Sequence, residues 1–482
     1  MLDVKQLLGE VVQSVKQAKF TLAATQLATI IEHKPDLHED WLGISKLALL
    51  AGEVELAKKA LTLFKKRPNS KLNIDMAYLA ALIEVGEFNS AVEKAENLFK
   101  ANQTSPEVSH FLSTVYLQLG QRERAAEYAQ ITLSQWPLAG EAWLLLVNAT
   151  DMQLESDIFK KMLGYEKEIV AKANNRSKSS YLAALCKVYE DNKNLELAFT
   201  YATKSKHVAH QNTDYDPTKE LAYVGNIIAS TSQQALANEI KIHSSKQSPI
   251  FIVGIPRSGS TLLEQMLCSH SKIVDGGEFN GMERAARALT GGRPMGESVE
   301  QFKVSSEQLE DIKRVYLNYA HKRFGSEGII VDKSINNNRF VWLIRQIFPD
   351  SPIIFLHRQP IDSAWSCFKT HFSQGLKWSA TLADIADYFA GEFSLYEHWN
   401  KCFGATILNT QYENLVNNTE HEITRIVEYC NLSFEPAMLE FFNNSRPIFT
   451  ASAVQAKRKM YSTSISSGTL DVLLAPFLAK FK

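Results

Sequence analysis

Residues 249–263 read PIFIVGIPRSGSTLL, which is strand, loop and helix in succession. Ile250 to Ile255 is an apolar run of strand length, rich in β-branched residues and bounded by Pro249 and Pro256. Arg257, Ser258, Gly259, Ser260 and Thr261 follow at once, and Leu262, Leu263, Met266 and Leu267 then recur with helical spacing. Such a loop gathers the N–H groups of a helix N-terminus at one point, where the helix dipole adds partial positive charge. The expectation is an anion site.

The kind of anion can be narrowed. Gly254 to Thr261, GIPRSGST, fits the phosphate-loop pattern GxxxxGK[ST] at both glycines and at Thr261, but Ser260 stands where the pattern needs Lys. Without that Lys a nucleoside triphosphatase loses its β/γ-phosphate clamp, which weakens an ATP reading. The positive charge sits on Arg257 instead, whose planar fork can hold a terminal oxyanion at two points.

PRSGSTLLEQML, residues 256–267, resembles the 5′-phosphosulfate-binding loop of sulfotransferases that use 3′-phosphoadenosine 5′-phosphosulfate (PAPS). Arg at the loop start, in place of Lys, resembles the tyrosylprotein sulfotransferase branch. The resemblance implies that Arg257, Ser258, Gly259, Ser260, Thr261 and Leu262 hold the donor.

Later motifs extend it. Val274 to Glu278, VDGGE, predicts a sharp turn where backbone comes close to a ligand. Sulfuryl transfer to a hydroxyl needs a base, and Glu278 matches the position of the base in the tyrosylprotein branch. Cytosolic small-molecule sulfotransferases use His, so His270, His357 and His371 are rival bases. Gly328 to Asp332, GIIVD, reads as a short buried strand, and Lys333 follows at its C-terminal end, where α/β sheets bind ligands. By the resemblance Lys333 reaches the bridging or sulfate oxygens.

Ser351 to Leu356, SPIIFL, is the next predicted strand; Arg358 lies just past it, with Pro360 in a first helical turn and Ser366 eight residues after Arg358. Arg offers charge and a fork, and Ser a directional donor. The resemblance assigns this pair to the ribose 3′-phosphate, the group that separates PAPS from ATP. Residues 281–327 read as mostly helical, with a GGRPMG loop at 291–296. Ala405 to Thr410 reads as a strand, and Tyr412, Glu413 and Leu415 after it match the family's YEDLV-type segment, with Glu413 as a capping or pairing acid. Thr450 to Gln455 resembles a segment that closes over the nucleotide, making Ser452 a candidate contact. Ser467 and Gly468 depart from the basic and Trp residues usual there in sulfotransferases linked to tetratricopeptide (TPR) repeats.

The N-terminal half carries a different period. Gly52, Gly86 and Gly120 are spaced by 34 residues, and so are Ala57, Ala91 and Ala125. A helix-turn-helix repeat of this length resembles the TPR family, and its small residues let paired helices approach. Residues 7–35 read as an atypical first repeat, and residues 140–175 as a weaker one with Leu154 at the Gly place. Residues 180–206 regain a helix pair through Ala198 and Ala202. Such arrays form a superhelix with a concave face. The expected organisation is an all-α TPR superhelix over 1–206 and a helical linker over 207–248, with a break at Pro217 and a helix from Leu221 to Ile242. An α/β, phosphate-loop-like sulfotransferase domain with a mainly parallel sheet then fills 249–482.

Composition sets outer limits. At 482 residues the chain can fill two or three domains, and 22% charged against 45% apolar residues is ordinary for a globular protein. A net charge of −1 gives no global basic field for nucleic acid or anionic membrane. Five cysteines without C-x-x-C spacing imply reduced thiols and neither a disulfide framework nor a zinc site. The charged, amphipathic start is not a signal peptide, and no apolar run reaches membrane-spanning length. The combined expectation is a cytoplasmic, metal-independent, PAPS-dependent sulfotransferase releasing adenosine 3′,5′-bisphosphate, with Glu278, Arg257 and Lys333 catalytic. A peptide or protein is its expected acceptor or partner on the concave face; a carbohydrate, lipid or small phenol stays open. The alternatives are an ATP-dependent phosphate-loop kinase and a non-enzymatic TPR adaptor with a degenerate catalytic domain.

Overall fold

Successive residues of one strand show how the C-terminal core is built. In β1 (Ile250–Val253), Ile250 and Ile252 join one apolar cluster, with Leu263, Met266, Ile354 and Ile426. Phe251 and Val253 join another, with Tyr316, Trp342, Phe355 and Trp399. All four are buried, so β1 needs a layer of helices on each face. The computed structural model describes residues 3–68, 71–101, 105–211, 215–231, 248–290, 304–372, 376–443 and 469–481. Among them β2 (Ile273–Gly277), β3 (Ile329–Asp332), β4 (Ile353–His357) and β5 (Leu408–Gln411) complete a sheet ordered β2-β3-β1-β4-β5, every neighbouring pair parallel. The chain leaves central β1 for one edge and later fills the other, which opens a crevice beyond the C-terminal end of β1. The strand expected from Ala405 starts only at Leu408, because Gly404–Thr406 closes a 3-10 turn first.

The N-terminal region is a run of helical hairpins. Gly52, Gly86 and Gly120 sit at φ 84°, 84° and 78°, the left-handed conformation that ends a helix. The next N–H, of Glu53, Glu87 and Gln121, donates five residues back to Ala48, Leu82 and Tyr116 at 2.8, 2.8 and 2.9 Å. Ala57, Ala91 and Ala125 are fully buried where the paired helices touch. The same turn recurs without glycine at Ala18 (φ 53°) and Lys193 (φ 62°), where Lys19 and Asn194 donate to Ser14 and Tyr189. Around Leu154 the hairpin gives way to two short helices, Asp157–Gly164 and Glu166–Lys172.

The segment read as a linker contains the helix Pro217–Ser230, which packs Val224 and Ile227 against Trp342, Leu395 and Trp399 of the sheet domain. Its Glu220 pairs with Arg339, which also meets Glu392 at 2.9 Å. The array touches the sheet domain at both ends. At one, the Arg284 guanidinium lies 3.8 Å from the Phe20 ring centroid and donates to the Leu50 carbonyl at 2.7 Å. At the other, Glu190 accepts from Trp365 Nε1 at 2.8 Å and from Lys369 Nζ at 2.5 Å. No helix among the described residues is long and apolar enough to cross a membrane.

Candidate active site

The loop after β1 fixes the site. Gly259 caps the helix Ser260–Leu267 at φ 101°, and a Cβ added there would lie 2.3 Å from the Tyr412 ring. Arg257 is also left-handed, at φ 69°, which costs a residue other than Gly about 1–2 kcal/mol. That conformation sends its side chain to the helix Pro360–Lys369, where Nε donates to Ser366 Oγ at 2.9 Å. Arg358 Nη1 donates to the Arg257 carbonyl at 3.1 Å, and its guanidinium lies 4.6 Å from the Tyr412 ring centroid. Arg257, Arg358 and Ser366 are therefore one cluster, with Tyr412 behind both the loop and Arg358.

Ser258 is fully buried, and its Oγ has no hydrogen-bond partner among the described residues. A buried hydroxyl left this way costs about 1–3 kcal/mol, which an anion accepting from it in the loop would recover. Thr261 is buried in the first turn, Ser260 is half-buried, and the Leu262 amide donates to the Gly259 carbonyl at 2.9 Å. These features fit an anionic donor. The loop amides and Ser258 would hold its 5′ end, and Arg358 with Ser366 a second anionic group.

The second cluster lies on β2 and β3. VDGG is strand and not turn, and its register against β3 slips between Asp275 and Gly277. Gly276 is the extra residue; a Cβ on it would sit 2.5 Å from the Val331 carbonyl oxygen. Such a bulge re-aims the residue after it, here Glu278. Lys333 follows β3 with a fully buried side chain, and its Nζ lies 2.7 Å from Glu278 Oε1 and 3.7 Å from Glu264 Oε2. Burial works against the Lys333 ammonium, but Glu264 and Glu278 outweigh it and hold its pKa above the usual lysine range. Asp332 pins the turn that aims Lys333, accepting from Ser334 N, Ser334 Oγ, Asn337 Nδ2 and Tyr316 Oη at 3.0, 2.7, 2.8 and 3.0 Å.

The three histidines bond to other partners. His270 precedes β2 at the other end of the strand, and both ring nitrogens are engaged: Nδ1 accepts from Lys272 N and Nε2 donates to the Ser433 carbonyl, each at 3.0 Å. His357 meets Asn409 Oδ1 at 3.1 Å. His371 meets Ser180 Oγ of the array at 3.2 Å, and burial and the nearby Lys206 push its pKa down to about 4. Glu413 accepts from the Gln359 amide at 3.1 Å, ahead of the helix Pro360–Lys369. Ser452, the rest of Thr450 to Gln455, Ser467, Gly468 and the loop at 291–296 lie outside the described residues. Sequence reasoning missed Glu264 and Asp332. Their one signal was an acid inside segments otherwise rich in apolar residues.

A parallel sheet, a glycine-capped loop at its central strand and cationic side chains on both sides form an α/β domain of the phosphate-loop kind, an arrangement that can hold an anion. Residues 249–436 match the sequence model of the family described as "Sulfotransferase family", so the C-terminal part carries a sulfotransferase-family domain. A protein of Aquifex aeolicus (strain VF5) that carries no functional name is 25% identical over 437 residues, covering 88% of this chain and 56% of that protein. The chain thus spans little more than half the length of that relative. A protein of Caenorhabditis briggsae, provisionally named a protein-tyrosine sulfotransferase, is 23% identical over 205 residues, covering 39% of this chain and 68% of its own. The solved sulfotransferase domain from the curacin biosynthetic pathway overlaps with TM-score 0.34 and 16% identity, over 49% of this chain and 99% of that one. The sulfotransferase domain from the Synechococcus PCC 7002 olefin synthase does so with TM-score 0.31 and 17% identity, over 50% and 98%.

Proposed function

We propose that the chain is a cytoplasmic, PAPS-dependent sulfotransferase whose N-terminal hairpins form a TPR arm holding a peptide or protein acceptor. The observation that carries the donor assignment is the pairing of a phosphate loop lacking Lys with the cluster of Arg257, Arg358 and Ser366 beside it. An ATP site has no use for a second anion grip, whereas a nucleotide with a 3′-phosphate does. Bound PAPS would supply the sulfuryl group. On the protein side, Glu278 takes the proton of the acceptor hydroxyl as the new S–O bond forms. Lys333 faces the oxygens on which charge builds as the old S–O bond breaks. The hairpin turns repeating every 34 residues support the TPR reading of the arm.

Ligand-induced thermal shift of the whole chain tests this reading. Adenosine 3′,5′-bisphosphate should raise the melting temperature in a concentration-dependent way and ATP should not. In Arg358→Ala, adenosine 3′,5′-bisphosphate should bind about tenfold or more weakly while adenosine 5′-phosphosulfate, lacking the 3′-phosphate, is nearly unaffected. Stabilisation by ATP alone would make the protein a kinase, and no response to either nucleotide would leave an adaptor.

A further inference from the structure

Glu264 lies on the loop helix Ser260–Leu267 with 2% of its surface exposed. Its Oε2 is 3.7 Å from Lys333 Nζ, while Oε1 has no hydrogen-bond partner among the described residues. Oε1 is not aimed at empty space. A methyl built on Gly277 would lie 3.9 Å from it and 3.7 Å from Asp275 Oδ1, and the Glu264 and Asp275 carboxyl groups stand within hydrogen-bonding reach of each other. Three carboxyl groups, Glu264, Asp275 and Glu278, thus surround the single ammonium of Lys333. If all were ionised, this cluster of four groups would carry a net −2.

We propose that Glu264 is a positioning residue that works as a neutral acid, donating its proton to Asp275 and so leaving Lys333 for the donor sulfate; this rests on the sulfotransferase reading. The proton turns two facing acceptors into donor and acceptor, and halves the excess negative charge. It also sets what Lys333 does during transfer. As Glu278 takes the acceptor's proton it stops being the counter-charge at 2.7 Å from Lys333. An ionised Glu264 would then draw the ammonium to itself; a neutral one leaves it on the charge growing at the sulfuryl and bridging oxygens. Burial pushes the Glu264 carboxyl well above the usual range, with Lys333 opposing and Asp275 and Glu278 adding to the rise. Lys333 from the end of β3, Asp275 from β2 and Glu278 just after β2 are the charged groups that face it.

The test compares kcat/KM for PAPS across roughly pH 6–10 in the wild type and Glu264→Gln, whose amide keeps the shape and a donor for Asp275. Glu264→Gln should match the wild type within about threefold at neutral pH, and should lose that part of the wild-type alkaline fall caused by Glu264 ionising. Glu264→Leu, which cannot donate, should lower kcat about tenfold or more with PAPS affinity held within a few-fold. A tenfold loss in Glu264→Gln at neutral pH, or an alkaline limb identical to the wild type, overturns the proposal. Should the variants not fold, proton uptake on PAPS binding to the wild type is read by calorimetry in two buffers near pH 7.5. Near zero is expected, and uptake of about one proton overturns the proposal. A wild type that does not bind PAPS removes the sulfotransferase reading itself, whereas normal turnover with an unmoved alkaline limb removes only the role of Glu264.

Discussion

Glu278 combines two properties that a general base needs: its carboxylate is fixed by Lys333 at 2.7 Å, and its side chain is still 35% exposed, so an acceptor can reach it. Glu278→Gln keeps the reach but cannot take the proton. Turnover should fall by about 10²–10⁴-fold while PAPS affinity stays within a few-fold, and acceptors with more acidic hydroxyls should lose less. His270→Ala should leave the rate near wild type, because that imidazole already holds a turn at the far end of β2. Full turnover in Glu278→Gln would hand the base to another group. Residues of this kind are legible in a sequence because local chemistry marks them: an Arg and Ser-rich loop after a strand, or an acid after paired glycines. Glu264 was not. In a helix buried on nearly every side, apolar spacing draws the eye to Leu263 and Met266, and only the fold brings Lys333 and Asp275 to meet the acid between them.

Among the secondary-structure elements, β2 shows how backbone geometry reaches the chemistry. The glycine pair reads as a turn because Gly commonly marks one, but parallel pairing with β3 holds the segment in the sheet and the extra residue becomes a bulge. Gly276→Ala tests that account, since its Cβ would press on the Val331 carbonyl oxygen from 2.5 Å. We expect a loss of roughly 1–3 kcal/mol in denaturant unfolding and a lower kcat, because Glu278 is mis-aimed, with PAPS affinity little changed. Unaltered kcat in a folded Gly276→Ala protein would show that the bulge does not aim Glu278. The hairpin turns teach the same lesson in reverse. Three are visible as glycines, whereas Ala18 and Lys193 adopt the same left-handed turn with nothing in the residue type to announce it. There the packing of the paired helices outweighs the local cost of about 1–2 kcal/mol.

Across the whole molecule, array and sheet domain meet at a junction that sequence periodicity cannot foresee, because its partners are far apart in the chain. Glu190 of the array binds Trp365 and Lys369 of the helix that carries Ser366, so the array braces that helix. Lys206 is sealed in the same junction, 5% exposed, donating to the Thr370 carbonyl and to Ser379 Oγ at 3.0 Å each. Neutral oxygens receive it where a carboxylate would ordinarily stand. Burial pulls its pKa down to about 8, with Cys367 and Cys186 opposing, and His371 and His210 are the other titratable neighbours. The sign follows from proton counts. An unfolded Lys keeps its proton until about pH 10.4, whereas this one releases it near pH 8. Between those values the unfolded chain binds more protons, so stability rises with pH; below pH 8 the full cost of the buried charge is present. Lys206→Met removes that titration. The difference in unfolding free energy, wild type minus variant, should therefore climb from about pH 8 to 10 by on the order of 3 kcal/mol. The carbonyl and hydroxyl left unpaired in the variant add a constant, which cannot imitate that slope. A flat difference across this window, read from denaturant midpoints, would mean that the ammonium stays protonated in the junction and that the array and domain pay nothing to enclose it.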